Sequence, residues 1–354
     1  MNMHRNVVPW LLNPTFAPRA ILAALGAALL LSSGNVVLAR PAPAMAEDQR
    51  MLPYAEPGQL VDIGGRRINL HCTGAGGPTV ILMAGLSRWS LVWYKTQPEI
   101  AKRTRVCAFD RAGFGFSDPA PQPQILPDTV SDLHAALQAA DVPGPYVLVG
   151  HSLGGLEARL FAQRWPREVA GMVLLDTSYA AQALNEVNLQ DNPGPGVEGE
   201  VPAALKCALL AAHGPLDPSN PEYESCVIPL PDDAPAALRN IWPRFFTADY
   251  AIAHVSLLSS LFTHRHDGAD HLRLGDKPFV VLSRAVDRDW PQGAFGQDLR
   301  KQWYAHHEAL AHLSSRGVHR VIEHSGHDIE SDKPQAVIDA VDEVLRQLHI
   351  RAKS

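Results

Sequence analysis

The segment Pro145 to Gly155, Pro-Tyr-Val-Leu-Val-Gly-His-Ser-Leu-Gly-Gly, constrains the fold of this chain more than any other. A short apolar run, Tyr146 to Val149, drives into Gly150-His151-Ser152-Leu153-Gly154. A helix-compatible run, Leu156 to Ala162, follows at once. Strand, sharp turn and helix in direct succession is the context that a G-x-S-x-G nucleophile elbow requires. The turn forces Ser152 into a strained backbone conformation, and Gly150 and Gly154 remove the side chains that would clash. Ser152 is therefore expected at the carboxyl end of a sheet strand and the amino end of a helix, where developing negative charge is stabilised.

A serine hydroxyl is a poor nucleophile at neutral pH. It needs a base to take its proton and a third group to orient that base. In a doubly wound hydrolase the order is Ser, then Asp or Glu, then His, so the base lies well downstream. His327 is the histidine that a strand would deliver, in Val321-Ile322-Glu323-His324-Ser325-Gly326-His327, with a Pro334-started helix following. Its neighbour His324 is expected inside the strand.

From about Gly58 to about Leu348 the chain resembles the α/β-hydrolase superfamily. Pro78 to Leu86 looks like that family's third strand, ending in Ala84-Gly85-Leu86 where many members have His-Gly-x. The resemblance implies an oxyanion hole made by the backbone N–H groups of Leu86 and Leu153. Asp110-Arg111-Ala112-Gly113-Phe114-Gly115-Phe116-Ser117 looks like the D-R-x-G-x-G-x-S turn after the fourth strand, a structural feature with no catalytic role. Two carboxylates compete for the third triad position. Asp287 follows a run resembling strand seven, with Pro291 at the family's offset but Arg284 where the family has Gly. Asp176 ends Met172-Val173-Leu174-Leu175-Asp176, which resembles strand six. Either would reach the imidazole. Serine at the elbow rejects the haloalkane dehalogenase and epoxide hydrolase chemistries, which use Asp there. Trp89 and Trp93, just after the oxyanion loop, are expected to touch substrate.

The first 46 residues read as a leader rather than as part of the fold. Arg5 and Arg19 make a basic region, Ala20 to Leu31 an apolar core too short for a comfortable span, and Ala44-Met45-Ala46 a cleavage site. Val37-Leu38-Ala39 is an earlier option. No twin arginine precedes the core and no Cys lies at the cleavage site, so the reading is general export without lipidation, to the periplasm or the medium. The whole chain has a net charge of −6, and the leader carries three Arg and no acid. The remaining body is more acidic still, which argues against nucleic acid or an anionic membrane surface as partner. No P-loop or dinucleotide glycine fingerprint is present, and the expected chemistry needs no cofactor and no metal. Cys207 and Cys226 are expected to staple a loop-rich segment. Cys72 and Cys107 lie on runs resembling neighbouring strands two and four, either bridged or buried as two thiols.

Strand signals at Gln59–Ile63, Arg67–Cys72, Thr79–Met83, Val106–Phe109, Tyr146–Val149, Gly171–Leu175, Phe279–Leu282 and Val321–Glu323 alternate with helical patterns such as Thr129 to Ala140. The fold class implied is α/β, a mostly parallel eight-stranded sheet covered on both faces. Four segments follow: leader 1–46, core 47–177, an insertion 178–275 placed by the resemblance as a helical cap over Ser152, and core 276–354. Within the insertion Trp242, Phe245, Phe246, Tyr250, Leu257, Leu258, Leu261 and Phe262 recur near helical spacing. That face either lines a pocket or packs the cap onto the body. His264, His266, Asp267, Asp270 and His271 are metal-ligand types, but their spacing fits no standard zinc pattern. The function implied is an exported serine hydrolase of small carboxylic esters, with acyl transfer, lactone opening, perhydrolysis or a non-catalytic binding role as alternatives. Acyl length, leaving group and oligomeric state are left open.

Overall fold

The computed structural model describes residues 46–178, 200–263, 272–285 and 293–353, without the side chains of 262, 263 and 349–353. Residues 1–45 of the leader, the His264–His271 cluster and Asp287 all lie outside the described residues.

Eight strands form one sheet: β1 (Gln59–Asp62), β2 (Arg67–Thr73), β3 (Val80–Met83), β4 (Val106–Phe109), β5 (Tyr146–His151), β6 (Val169–Leu175), β7 (Phe279–Arg284) and β8 (Gly317–Ile322). Their order is β1-β2-β4-β3-β5-β6-β7-β8. The β1–β2 and β2–β4 pairs are antiparallel, and every pair from β4–β3 to β7–β8 is parallel. Successive side chains of the central strands point to opposite faces, as a pleated strand requires. Ile81, Met83, Leu148, Met172, Leu174 and Val281 enter one core. Val80, Leu82, Val147, Val149, Val173 and Leu282 enter the other. Continuous apolar runs therefore mark strands covered on both sides. The helix Leu126–Ala139 buries Val130, Leu133 and Leu137 in the first core. The C-terminal helix Pro334–Lys353 buries Val337, Val341 and Val344 in the second.

Two local expectations are corrected. β8 runs from Gly317 to Ile322, earlier than the Val321–Glu323 expected. As an edge strand it is half-exposed and carries His319 and Arg320, so its pattern lacks the apolar signal of the central strands. His324 stands past the strand end with φ 59°, a left-handed turn residue.

The helices Glu200–Ala211, Ala236–Ile241 and Ala248–Thr263 are inserted between β6 and β7. Aromatics of this insertion close around Trp89: its ring centroid lies 5.1 Å from Trp242 and 5.3 Å from Phe245, with Phe246 and Tyr250 beyond. All five are at most 5 % exposed, so this face packs the insertion onto the body. Cys207 and Cys226 are joined within the insertion, and Cys72 and Cys107 are joined across directly paired positions of β2 and β4. Two disulfides are consistent with an oxidising compartment. Among the described residues no helix is long and apolar enough to cross a membrane. The Cys207–Cys226 bridge closes a segment poor in regular structure. The double replacement Cys207→Ser with Cys226→Ser is expected to destabilise the protein by about 3 kcal/mol. The check is the midpoint of thermal unfolding, which should fall for the variant.

Candidate active site

The elbow is built by close backbone approach. Ser152 sits at φ 50° and ψ −117° between β5 and the helix Leu153–Arg164. A Cβ at Gly154 would collide with the Met83 carbonyl oxygen, and one at Gly150 with the Gly154 carbonyl. Only glycine fits at either position. The Ser152 N–H donates to the Leu175 carbonyl at 2.9 Å, and its carbonyl accepts from the Ser178 N–H at 3.1 Å. These bonds bind the turn to the end of β6. Leu153 opens the helix, so its N–H has no partner within that helix.

The second expected oxyanion donor is set by a motif given no catalytic role. Arg111 and Glu157 form an ion pair at 2.7 Å with side chains only 1 % and 0 % exposed. Arg111 Nη1 donates to the Gly85 carbonyl at 3.0 Å, and Nη2 to the Ala84 carbonyl at 2.5 Å. In a planar trans peptide the C=O and N–H point opposite ways. Holding the Gly85 carbonyl therefore fixes the direction of the Leu86 N–H. Asp110, fully buried, accepts from Ser90 N–H at 2.8 Å, Asn69 Nδ2 at 2.8 Å and Phe116 N–H at 3.0 Å. Burial raises its pKa, while those three donors pull against the rise. The D-R-x-G turn thus braces both ends of the loop from Ala84 to Ser90.

His327, on the loop after β8, turns Nδ1 to Asp176 Oδ2 at 2.6 Å. Asp176 follows β6 at φ 40° and is fully buried. Its other oxygen, Oδ1, accepts from Trp303 Nε1 at 2.8 Å and the Arg284 N–H at 3.1 Å. The Arg284 guanidinium lies over the Trp303 ring, with Nε 3.5 Å from Oδ2. Burial alone would raise the Asp176 pKa. The His327 bond and the nearby charges overcome it and hold the carboxyl at about 2. The structure thus brings Asp176 to His327. Trp303, on the helix Gly293–Ala311, had no strand-end or motif signal to reveal it.

The two tryptophans separate. Trp89 lines the cap aromatic cluster and a cavity of about 120 Å³ with Arg88, Leu91, Tyr94, Leu230 and Asp328. Trp93 is fully buried in the second core, on the opposite face of the sheet from that cluster. Trp93 was expected to touch substrate; at the end of the short turn Ser90–Trp93 its side chain has no exposed surface.

A family model for the α/β hydrolase fold matches residues 78–211, the stretch that carries the loop after β3, the D-R-x-G turn and the elbow. The chain has the α/β-hydrolase fold. It is 36% identical over 125 residues to a 2-hydroxy-6-oxo-2,4-heptadienoate hydrolase of Pseudomonas putida, covering 34% of this chain and 45% of that one. It spans 39%, 28% and 42% of three further curated relatives, so none is matched over most of its length. Solved α/β-hydrolase structures match more of the fold. A thermophilic esterase from Thermogutta terrifontis superposes with a TM-score of 0.55 at 20% identity, over 83% of this chain and 98% of that one. An enol-lactonase from Burkholderia xenovorans gives 0.54 at 14% identity, over 81% and 100%. At such identities the likeness establishes the fold alone.

Proposed function

We propose that this α/β-hydrolase is an exported serine hydrolase that cleaves carboxylic esters with Ser152, His327 and Asp176. The observation that carries the reading is the 2.6 Å contact of His327 Nδ1 with a buried Asp176, set at the same sheet end as the strained Ser152 elbow. A carboxylate on Nδ1 fixes the tautomer in which Nε2 can accept a proton. Ser152 Oγ then attacks the ester carbonyl carbon as its proton passes to Nε2. The oxyanion receives the Leu86 and Leu153 N–H groups. Collapse breaks the carbon–oxygen bond, and His327 returns the proton to the departing alcohol. A water, deprotonated by His327, attacks the acyl carbon; the acid leaves and Ser152 regains its proton. Export is supported by the leader pattern and by the two disulfides.

The test is a panel of p-nitrophenyl esters of graded acyl length, run beside a lactone and 2-hydroxy-6-oxo-2,4-heptadienoate, the substrate in the relative's name. Release of nitrophenol with a pre-steady-state burst is expected. Cleavage of the dienoate with no ester turnover by folded protein would contradict the ester reading.

A further inference from the structure

His151, the residue before the nucleophile, takes no part in the steps above, yet it is 2 % exposed and pressed against the catalytic loop. Its Nε2 lies 3.0 Å from the carbonyl oxygen of His327. A carbonyl only accepts, so Nε2 carries a proton. Its Nδ1 lies 3.1 Å from Oε1 of Glu330, whose side chain is 0 % exposed. Neither Glu330 oxygen has a well-aligned hydrogen-bond partner among the described residues. The Nδ1 contact is at ion-pair distance but off the line of a good hydrogen bond. A bare ring nitrogen and a carboxylate would repel at this distance, so a proton lies between Nδ1 and Glu330 Oε1, and the nearby Asp328 and Asp176 carboxylates favour it on the ring. Burial disfavours the charged imidazole, but Glu330 first, then Asp328 and Asp176, outweigh it and raise the His151 pKa. The charged and titratable groups facing the ring are Glu330, Asp328 with Oδ1 3.9 Å from Nε2, Asp176, and His327 at 4.7 Å between ring centroids. On its remaining side Gly85 packs so closely that a Cβ there would lie 2.9 Å from Nδ1.

We propose that His151 is a positioning residue, an imidazolium held by Glu330 that grips the His327 carbonyl and keeps a fixed positive charge beside the His327 ring. It rests on the reading of His327 as the base. The loop that carries His327 is thereby tied to the strand that carries Ser152, so base and nucleophile share one anchor. The positive charge of His151 also lies beside the His327 ring, 4.7 Å between ring centroids.

Two measurements test this. In histidine ¹⁵N NMR of the intact protein, His151 should show both ring nitrogens protonated from pH 6 to 8. Loss of one proton within that range would overturn the assignment, whatever the enzyme's activity. In kinetics, Glu330→Gln removes the charge that holds the imidazolium. It should lower kcat about tenfold with KM unchanged. Glu330→Asp should restore part of the loss. An unchanged kcat in a folded variant would overturn the proposal. If Glu330→Gln does not fold, His151→Asn takes its place with the same expectations. With Asp328, these side chains are also of cation-ligating type. Activity lost to a chelator and restored by zinc would likewise overturn the protonated pair. If Ser152→Ala kept its turnover, the reading of the active site would fail, whereas the NMR result would stand or fall by itself.

Discussion

Ser152→Ala is expected to lower ester turnover by about 10⁴- to 10⁶-fold, because without the nucleophile only the oxyanion donors and binding remain. The protein should stay folded. The strained φ of 50° is a property of the backbone, and alanine tolerates it no worse than serine. The bonds that hold the elbow, to Leu175 and from Ser178, use backbone atoms. Far-UV circular dichroism and the thermal midpoint should therefore match those of the parent. Turnover that survived in such a variant would remove Ser152 from the mechanism, since no downstream step supplies another acyl carrier.

Asp176→Asn separates the two candidate acids. Both Trp303 Nε1 and the Arg284 N–H donate to Asp176 Oδ1. The amide oxygen of asparagine must stay on that side, which turns its NH₂ toward His327 Nδ1. Nδ1 then becomes an acceptor, the ring proton moves to Nε2, and Nε2 can no longer take the serine proton. A loss of about 10⁴-fold in kcat is expected, with KM little changed. Asp287→Asn is expected to stay within about twofold of the parent. Equal losses, or a larger loss at Asp287, would reverse the assignment. The same carboxylate has a signature in stability. Its pKa is lowered from 3.8 unfolded to about 2 folded. A lowered pKa stabilises the folded state above pH 4, by about 2 kcal/mol, and this is lost as pH falls toward 2. Acid unfolding of Asp176→Asn should lack that component.

The elbow was legible in the sequence because a G-x-S-x-G turn allows few alternatives once an apolar strand precedes it and a helix follows. The central strands were legible for a related reason: β-branched apolar runs bounded by Gly, Pro or Asp have few other uses in a two-faced sheet. The edge strand β8 was displaced because its pattern is set by solvent on one side. The burial of Trp93 in the second core was not legible, because closeness in sequence to the loop after β3 says nothing about which side of the sheet the following turn faces. The choice between Asp287 and Asp176 stayed open for a physical reason. Neighbouring strand ends in a parallel sheet are equivalent in pattern, and what distinguishes Asp176 is a set of donors from elsewhere: Trp303 on a later helix and Arg284 at the end of β7. Contacts of that kind carry no periodic signal. Glu330 was silent for the same reason, since its partner His151 lies far away in the chain.

The most direct measurement is mass spectrometry of the purified protein after exposure to a fluorophosphonate. Such a probe reacts with a serine only when a neighbouring base has raised its nucleophilicity. Labelling at one equivalent, located on Ser152 and absent in His327→Ala, is the predicted result. Well-folded protein that stays unlabelled, or carries the label on a different residue, would contradict the account.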